Sequence, residues 1–341
     1  MKTKISILIF LSSITFLKSQ TLKFETLLQD KISIRALQVF NNKVYYSGTD
    51  SKFGFVDLKN TESKKQVILS DKKLQFRTLA QDKNSFYTIN IESPAYFFKI
   101  DKKTLDSKII FIDTTKTAFY DALQFENDGN GIALGDPNGK CMSLVKTKNS
   151  GKTWEKLRCS VVPKVINGEA AFAASNSNIF LKNGEFWFVT GGMVSRQYYS
   201  HDFGKRINVK KLDFVDGTSS TGIYSLDLNF NNRFGIAVGG DYTKQADNIN
   251  NIATTFNGGE TWQIQASGKN AGYMTCVKIR PGSNGKEIIA VGDQHISYSD
   301  DFGKTWTKIS DEKNLYVVDW VDKNNLVFAG KDRILKAYFN N

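Results

Sequence analysis

The chain has 341 residues, 40% hydrophobic and 13% aromatic, with a formal charge of +12. That is ample for one large core, and 25 Phe, 13 Tyr and 5 Trp against 4 Pro suit a β-rich fold. The excess Lys is scattered, with no basic stripe interleaved with aromatics, so a nucleic-acid partner is not expected. Only His201 and His295 exist, which argues against a zinc site and against Ser/His/Asp chemistry.

Residues 1–19 have the form of a signal peptide. Lys2 and Lys4 make the charged start, and residues 5–17 the apolar stretch, too short to span a membrane. Cleavage after Ser19 leaves Gln20 first, and loss of Lys2, Lys4 and Lys18 lowers the charge to +9. No Cys follows to carry a lipid anchor. The mature chain is expected to be exported, to the periplasm, outer envelope or medium. No linker or low-complexity stretch divides residues 20–341, so one domain is expected there, with no transmembrane segment and as a monomer.

Residues 22–28 then read as a lone strand. After them seven short apolar openings recur. They are Ile34-Arg35-Ala36-Leu37, Phe76-Arg77-Thr78-Leu79, Tyr120-Asp121-Ala122-Leu123 and Gly168-Glu169-Ala170-Ala171. The series continues with Gly222-Ile223-Tyr224-Ser225, Gly272-Tyr273-Met274-Thr275 and Leu315-Tyr316-Val317-Val318. The steps are 42, 44, 48, 54, 50 and 43 residues. Most openings precede a Gly-ended strand such as Gly235-Ile236-Ala237-Val238-Gly239. A period near 45 residues with short strands predicts an all-β fold, a seven-bladed β-propeller. The last unit lacks a fourth strand, and residues 24–28 are expected to supply it, closing the ring and removing two free sheet edges.

A second motif, Ser/Thr-x-Asp/Asn-x-Gly-x-Thr-Trp, is the Asp box of BNR repeats. It begins at Thr147, Ser200, Thr255 and Ser299, and its glycines Gly151, Gly204, Gly259 and Gly303 are 53, 55 and 44 residues apart. Asn149, Asp202, Asn257 and Asp301 are expected to accept backbone hydrogen bonds in tight turns. Trp154, Trp262 and Trp306 are expected to pack between sheets, with Ile207 replacing the Trp of the second box. All of these residues read as structural. Cys141 and Cys159 flank the first box almost symmetrically, so they either form a cross-hairpin disulfide or stay as two buried thiols. Cys276 is the odd one.

In an up-and-down blade the box turns share one face, and the openings face the other, around the channel mouth. That places Arg35, Arg77, Asp121, Glu169, Ile223, Tyr273 and Tyr316 in a ring. The neighbouring turns add Asp50, Glu92, Asp136, Arg196, Asp241, Asp293 and Asp332. Charge so close to a channel is costly unless paired or used. Two readings stand: a salt-bridge ring of Arg35 and Arg77 with Asp121 and Glu169, or a ligand or partner site. The turn 241–251 is expected to be a mobile rim.

The stretches Gly168-Glu169-Ala170-Ala171-Phe172-Ala173-Ala174-Ser175, Ser220-Thr221-Gly222-Ile223-Tyr224-Ser225-Leu226 and Ala237-Val238-Gly239-Gly240-Asp241-Tyr242, with Gly135-Asp136-Pro137, resemble bacterial propellers of the photosystem II stability/assembly factor family. The likeness runs over about residues 34–337. It implies a seven-bladed, non-enzymatic propeller. Plastid and cyanobacterial members are implied to help assemble a membrane complex through an arginine-rich surface. Nothing here suggests photosynthesis, so that partner does not carry over; an unidentified protein or glycan of the cell envelope is expected, with no cofactor and no metal. Some relatives are labelled oxidoreductase, but no Gly-rich dinucleotide turn, CxxC or haem motif is present.

The competing reading is a sialidase-like glycosidase. Those enzymes combine Asp boxes with an arginine triad, a Tyr–Glu pair and an Asp acid, and Arg35, Arg77, Arg196, Glu169, Tyr273 and Asp50 offer that inventory. Against it, Arg35 lacks the Phe-Arg-Ile-Pro context, Ile223 stands where a triad Arg belongs, and sialidases have six blades.

Overall fold

The computed structural model describes residues 21–229, 231 and 233–340; the leader lies outside them. All the regular elements described are β-strands, so no described helix is long and apolar enough to cross a membrane. Hydrogen bonding gathers the strands into six sheets, four of four strands and two of six. The expectation of seven is corrected in this respect, and the cause is chain continuity. The strand Thr21–Phe40 runs unbroken from a ladder with Asn325–Asn340 into a ladder with Lys43–Gly48. It thereby joins what were expected to be the first and last units into one six-stranded sheet. In its first half Phe24 pairs with Ala337 and Leu28 with Ile334.

The core lies between sheets. One layer sets Tyr87, Ile89 and Phe97 against Tyr120, Leu123 and Ala133, and the next sets Ile132, Leu134 and Leu144 against Phe186, Phe188 and Tyr198. Because side chains alternate along a strand, a sheet packed on both faces must be apolar throughout. Phe234–Asp241 meets that demand, being buried at every position.

The inner strands are not regular. Register shifts leave Arg35, Asp121, Tyr224 and Tyr316 as extra residues opposite the second strand of their sheets. Such β-bulges re-aim a side chain. The repeated glycine has its reason here. A Cβ on Gly239 would lie 2.0 Å from the Gly222 carbonyl, and one on Gly330 would lie 1.9 Å from that of Asn314.

The expected fourth opening is also corrected. Glu169-Ala170 pairs only with Gly191-Gly192, and the first strand of that unit is Ile179–Lys182. The intervening residues 171–178 form a hub instead. Asn176, at φ 59°, donates to the carbonyls of Leu79 and Leu123 and accepts from the Leu123 N–H. Ser175 donates to the Thr275 carbonyl at 2.6 Å, and the Ser177 and Ser225 hydroxyls lie 2.7 Å apart. Arg35 donates to the Ala174 carbonyl at 3.2 Å. Five other sheets are thus tied to one segment.

Cys141 and Cys159 are joined by a disulfide with Cα atoms 5.5 Å apart, and Cys276 is free and buried.

Candidate functional site

The Asp-box face is built from local closure. In the last box the Ser299 hydroxyl accepts from the Gly303 N–H, and Asp301 accepts from the Thr305 N–H at 2.9 Å and the Thr305 hydroxyl at 2.7 Å. Asn149 and Asn257 accept in the same way from Thr153 and Thr261, and Asp202 from Lys205 and Arg206. Trp154 packs edge-on to Phe97 at 5.0 Å, while Trp262 and Trp306 cover the next two inter-sheet layers. Ile207 is buried in place of the missing Trp. His201 lies beside Glu185 at 2.7 Å on this side.

The opposite face differs. A cavity of about 290 Å³ opens there, lined by Arg35, Arg77, Phe172, Ala173, Ala174, Tyr224, Tyr242, Gln245, Tyr273 and Asp293. The bulges set its character by turning Arg35 and Tyr224 inward. Phe172 and Tyr224 stack at 3.9 Å, and Tyr273 meets Tyr224 edge-on at 4.9 Å, making an aromatic shelf. Tyr242 is half exposed at the rim.

Two cations face this shelf. The Arg35 guanidinium sits 4.1 Å over the Tyr316 ring, and the Arg77 side chain makes no hydrogen bond among the described residues. Neither has an ion-pair partner among the described residues. Burial, then Arg35, pulls Arg77 below its usual range, with Asp121 and Glu92 opposing. Asp121 is fully buried and both its oxygens lack a partner. Burial, then Asp136, pushes Asp121 well above the carboxylate range. Burial also raises Asp136 to about 6, against the Ala171 N–H that it accepts. On the far wall the Gln245 amide donates to Asp293 at 3.2 Å, while Asp293 Oδ1 and Gln245 Oε1 are buried without partners. Burial raises Asp293, with Arg35 opposing.

The expected salt-bridge ring is therefore not formed. Glu169 is bound to Arg196, whose Nε donates at 3.0 Å, and to Tyr198, whose hydroxyl donates at 2.8 Å. Arg196 also donates to the Lys164 carbonyl at 2.9 Å. This cluster is buried and away from the cavity. Ile223 is likewise buried, and its neighbour Tyr224 takes the inward position. Arg35, Arg77 and Tyr273 do meet in one cavity, and Tyr316 meets it through Arg35. Asp241 caps its own turn through Thr243, Asp332 accepts from the Ile32 N–H, Glu92 accepts from the Gln75 N–H, and Asp50 is exposed. The 241–251 turn is anchored at several points. Asn248 and Asn251 bond to Asn270, and the Gln245 carbonyl accepts from the Tyr273 N–H.

These contacts weaken the glycosidase reading. Six sheets remove one objection to it, but the Tyr beside Glu169 is Tyr198, not Tyr273, and Tyr198 is fully buried. Burial, then Glu169, raises its hydroxyl above the usual range, which disfavours a nucleophile. The sequence does not single out Phe172, Ala173, Ala174 or Gln245 as site residues: the first three follow the expected fourth opening, and Gln245 lies within the expected rim turn 241–251. The polar run Ser175-Asn176-Ser177-Asn178 before Ile179 was the available signal.

With the geometry in place, comparison identifies the class of the fold. The BNR/Asp-box repeat family matches residues 297–308. No curated protein matches the chain. Among solved structures, "YCF48 bound to D1 peptide" superposes with a TM-score of 0.67 at 14% identity, covering 96% of this chain and 98% of that one. "YCF48 from Cyanidioschyzon merolae" gives 0.67 at 11% identity, covering 92% and 98%. The chain is therefore an all-β propeller, similar in fold to the YCF48 propeller.

Proposed function

We propose that the chain is an exported, non-enzymatic binding or assembly propeller that holds a partner at the channel mouth. The observation that carries this is a pair of arginines with no salt bridge among the described residues, beside an aromatic cavity. Both are half-buried, and a cation partly withdrawn from water with no salt bridge among the described residues favours an incoming anion. The cations of the box turns, Lys152, Lys205, Arg206 and Lys304, are instead exposed to solvent. The similar YCF48 structure carries a D1 peptide, which supports a peptide-type partner here. The leader-like residues 1–19 support export. No nucleophile, base and acid converge in the cavity, so binding fits better than turnover.

We also infer that the joined six-stranded sheet works as two blades, closing a seven-unit ring. The register shift between Gln29 and Ser33, and the φ of 63° at Asp332, support a change of direction there.

The test is partner capture from the cells that make the protein, with wild type and the double variant R35E/R77E at matched melting temperature. Loss of capture supports the reading. Capture that survives the reversal, or glycoside turnover abolished by Glu169→Gln, overturns it.

A further inference from the structure

The cavity has two unmatched walls, not one. Among the described residues the Arg77 side chain has no hydrogen bond or salt bridge, Asp121 and Glu92 acting on it only from a distance, and Arg35 spends one N–H on a backbone carbonyl. Across from them two acceptor oxygens, Asp293 Oδ1 and Gln245 Oε1, are buried and receive no hydrogen bond. Nearly all buried polar atoms in folded proteins are satisfied, so these two orphan oxygens, in one cavity with two half-buried guanidinium groups that have no salt bridge among the described residues, point to an absent ligand. A simple anion satisfies only the arginine wall. A cation or neutral donor satisfies only the other.

We propose that the mouth cavity recognises the zwitterionic head group of a free amino acid with an aromatic side chain. The carboxylate lies on Arg35 and Arg77, the ammonium donates to Asp293 and Gln245, and the side chain rests on Phe172, Tyr224 and Tyr273. Size supports this. About 290 Å³ is at the lower limit of small-molecule pockets, about 300–1,000 Å³, and suits one residue. The stacked and edge-on rings give a ready surface for a further ring. This deepens the reading of the mouth as the binding site and rests on it.

Calorimetry on the mature protein tests it with four probes: L-phenylalanine, 3-phenylpropionate, phenethylamine and N-acetyl-L-phenylalanine. L-Phenylalanine is expected to bind, and each probe lacking one charge to bind at least about tenfold more weakly, a difference of about 1.4 kcal/mol. Asp293→Asn, with Gln245→Ala as a second variant, is expected to abolish the preference over 3-phenylpropionate at unchanged melting temperature. No binding of L-phenylalanine at millimolar concentration overturns the proposal, as does equal binding of 3-phenylpropionate or of the N-acetyl compound. Arginine-dependent partner capture without amino-acid binding would sink this proposal and leave the function reading standing.

Discussion

The two faces of the propeller use polar groups in opposite ways. At the box face, each Asp or Asn closes on a backbone N–H three or four residues on, and each Ser or Thr hydroxyl serves the glycine of its own turn. At the mouth, Asp121, Asp293 and Gln245 hold buried oxygens with no partner, and the Arg77 side chain has no hydrogen bond among the described residues. Local satisfaction stabilises a fold; convergent dissatisfaction costs stability and makes sense only if something else completes the set. Substitutions at the first face are therefore expected to alter stability, and those at the second to alter binding.

The largest stability loss is expected for Trp154→Ala. The indole packs against Phe97, Phe111 and Phe125, and its removal should cost about 3 kcal/mol or more in urea unfolding. Removing the Cys141–Cys159 link as the double serine variant should cost about 3 kcal/mol, given its 18-residue separation. Free-thiol counting on denatured, unreduced wild type should give one, from Cys276.

A pH series separates the faces differently. Asp136 is held at about 6, above its ordinary 3.8, so the folded state holds the proton more tightly than the unfolded chain. Its contribution is fully present below about pH 4 and is lost as pH rises through 6. Wild type should lose about 2 kcal/mol relative to Asp136→Asn between these limits, allowing for residual hydration of the half-buried carboxyl. Thermal unfolding of both proteins across pH 4–7 measures it. Equal slopes would show that the carboxyl is better solvated than its surroundings imply.

Asp301→Ala removes three hydrogen bonds from an exposed turn and should cost about 1 kcal/mol. Smallest of all is the expected effect of Arg77→Ala, about 0.5 kcal/mol, since among the described residues its side chain has neither an ion pair nor a hydrogen bond to lose. A loss of several kcal/mol there would erase the contrast between the faces.

The same contrast explains what was legible in the chain. The boxes, the disulfide partners and the Gly239-type positions are short-range features, fixed by turn geometry or by a carbonyl on the neighbouring strand. The mouth depends on non-local events. A one-residue bulge exchanges Ile223 for Tyr224, and a resemblance in Gly168-Glu169-Ala170-Ala171 hides a hub whose bonds run to five distant strands. Arg35 and Arg77 are legible because each is the second residue of a recurring opening. Glu169 was misplaced because its true partner, Arg196, lies 27 residues on and nothing local marks the pair. The sheet count came out at six because Thr21–Phe40 does not break where the repeat does.

The central claim is that the mouth, and not the box face, is where this propeller meets its partner. Its most direct test is quantitative partner capture with three proteins of equal melting temperature: wild type, R35E/R77E, and a box-face reversal at exposed Lys152 and Lys304. The account predicts capture by wild type and the box-face variant and none by R35E/R77E. Capture retained by R35E/R77E but lost in the box-face variant would contradict it.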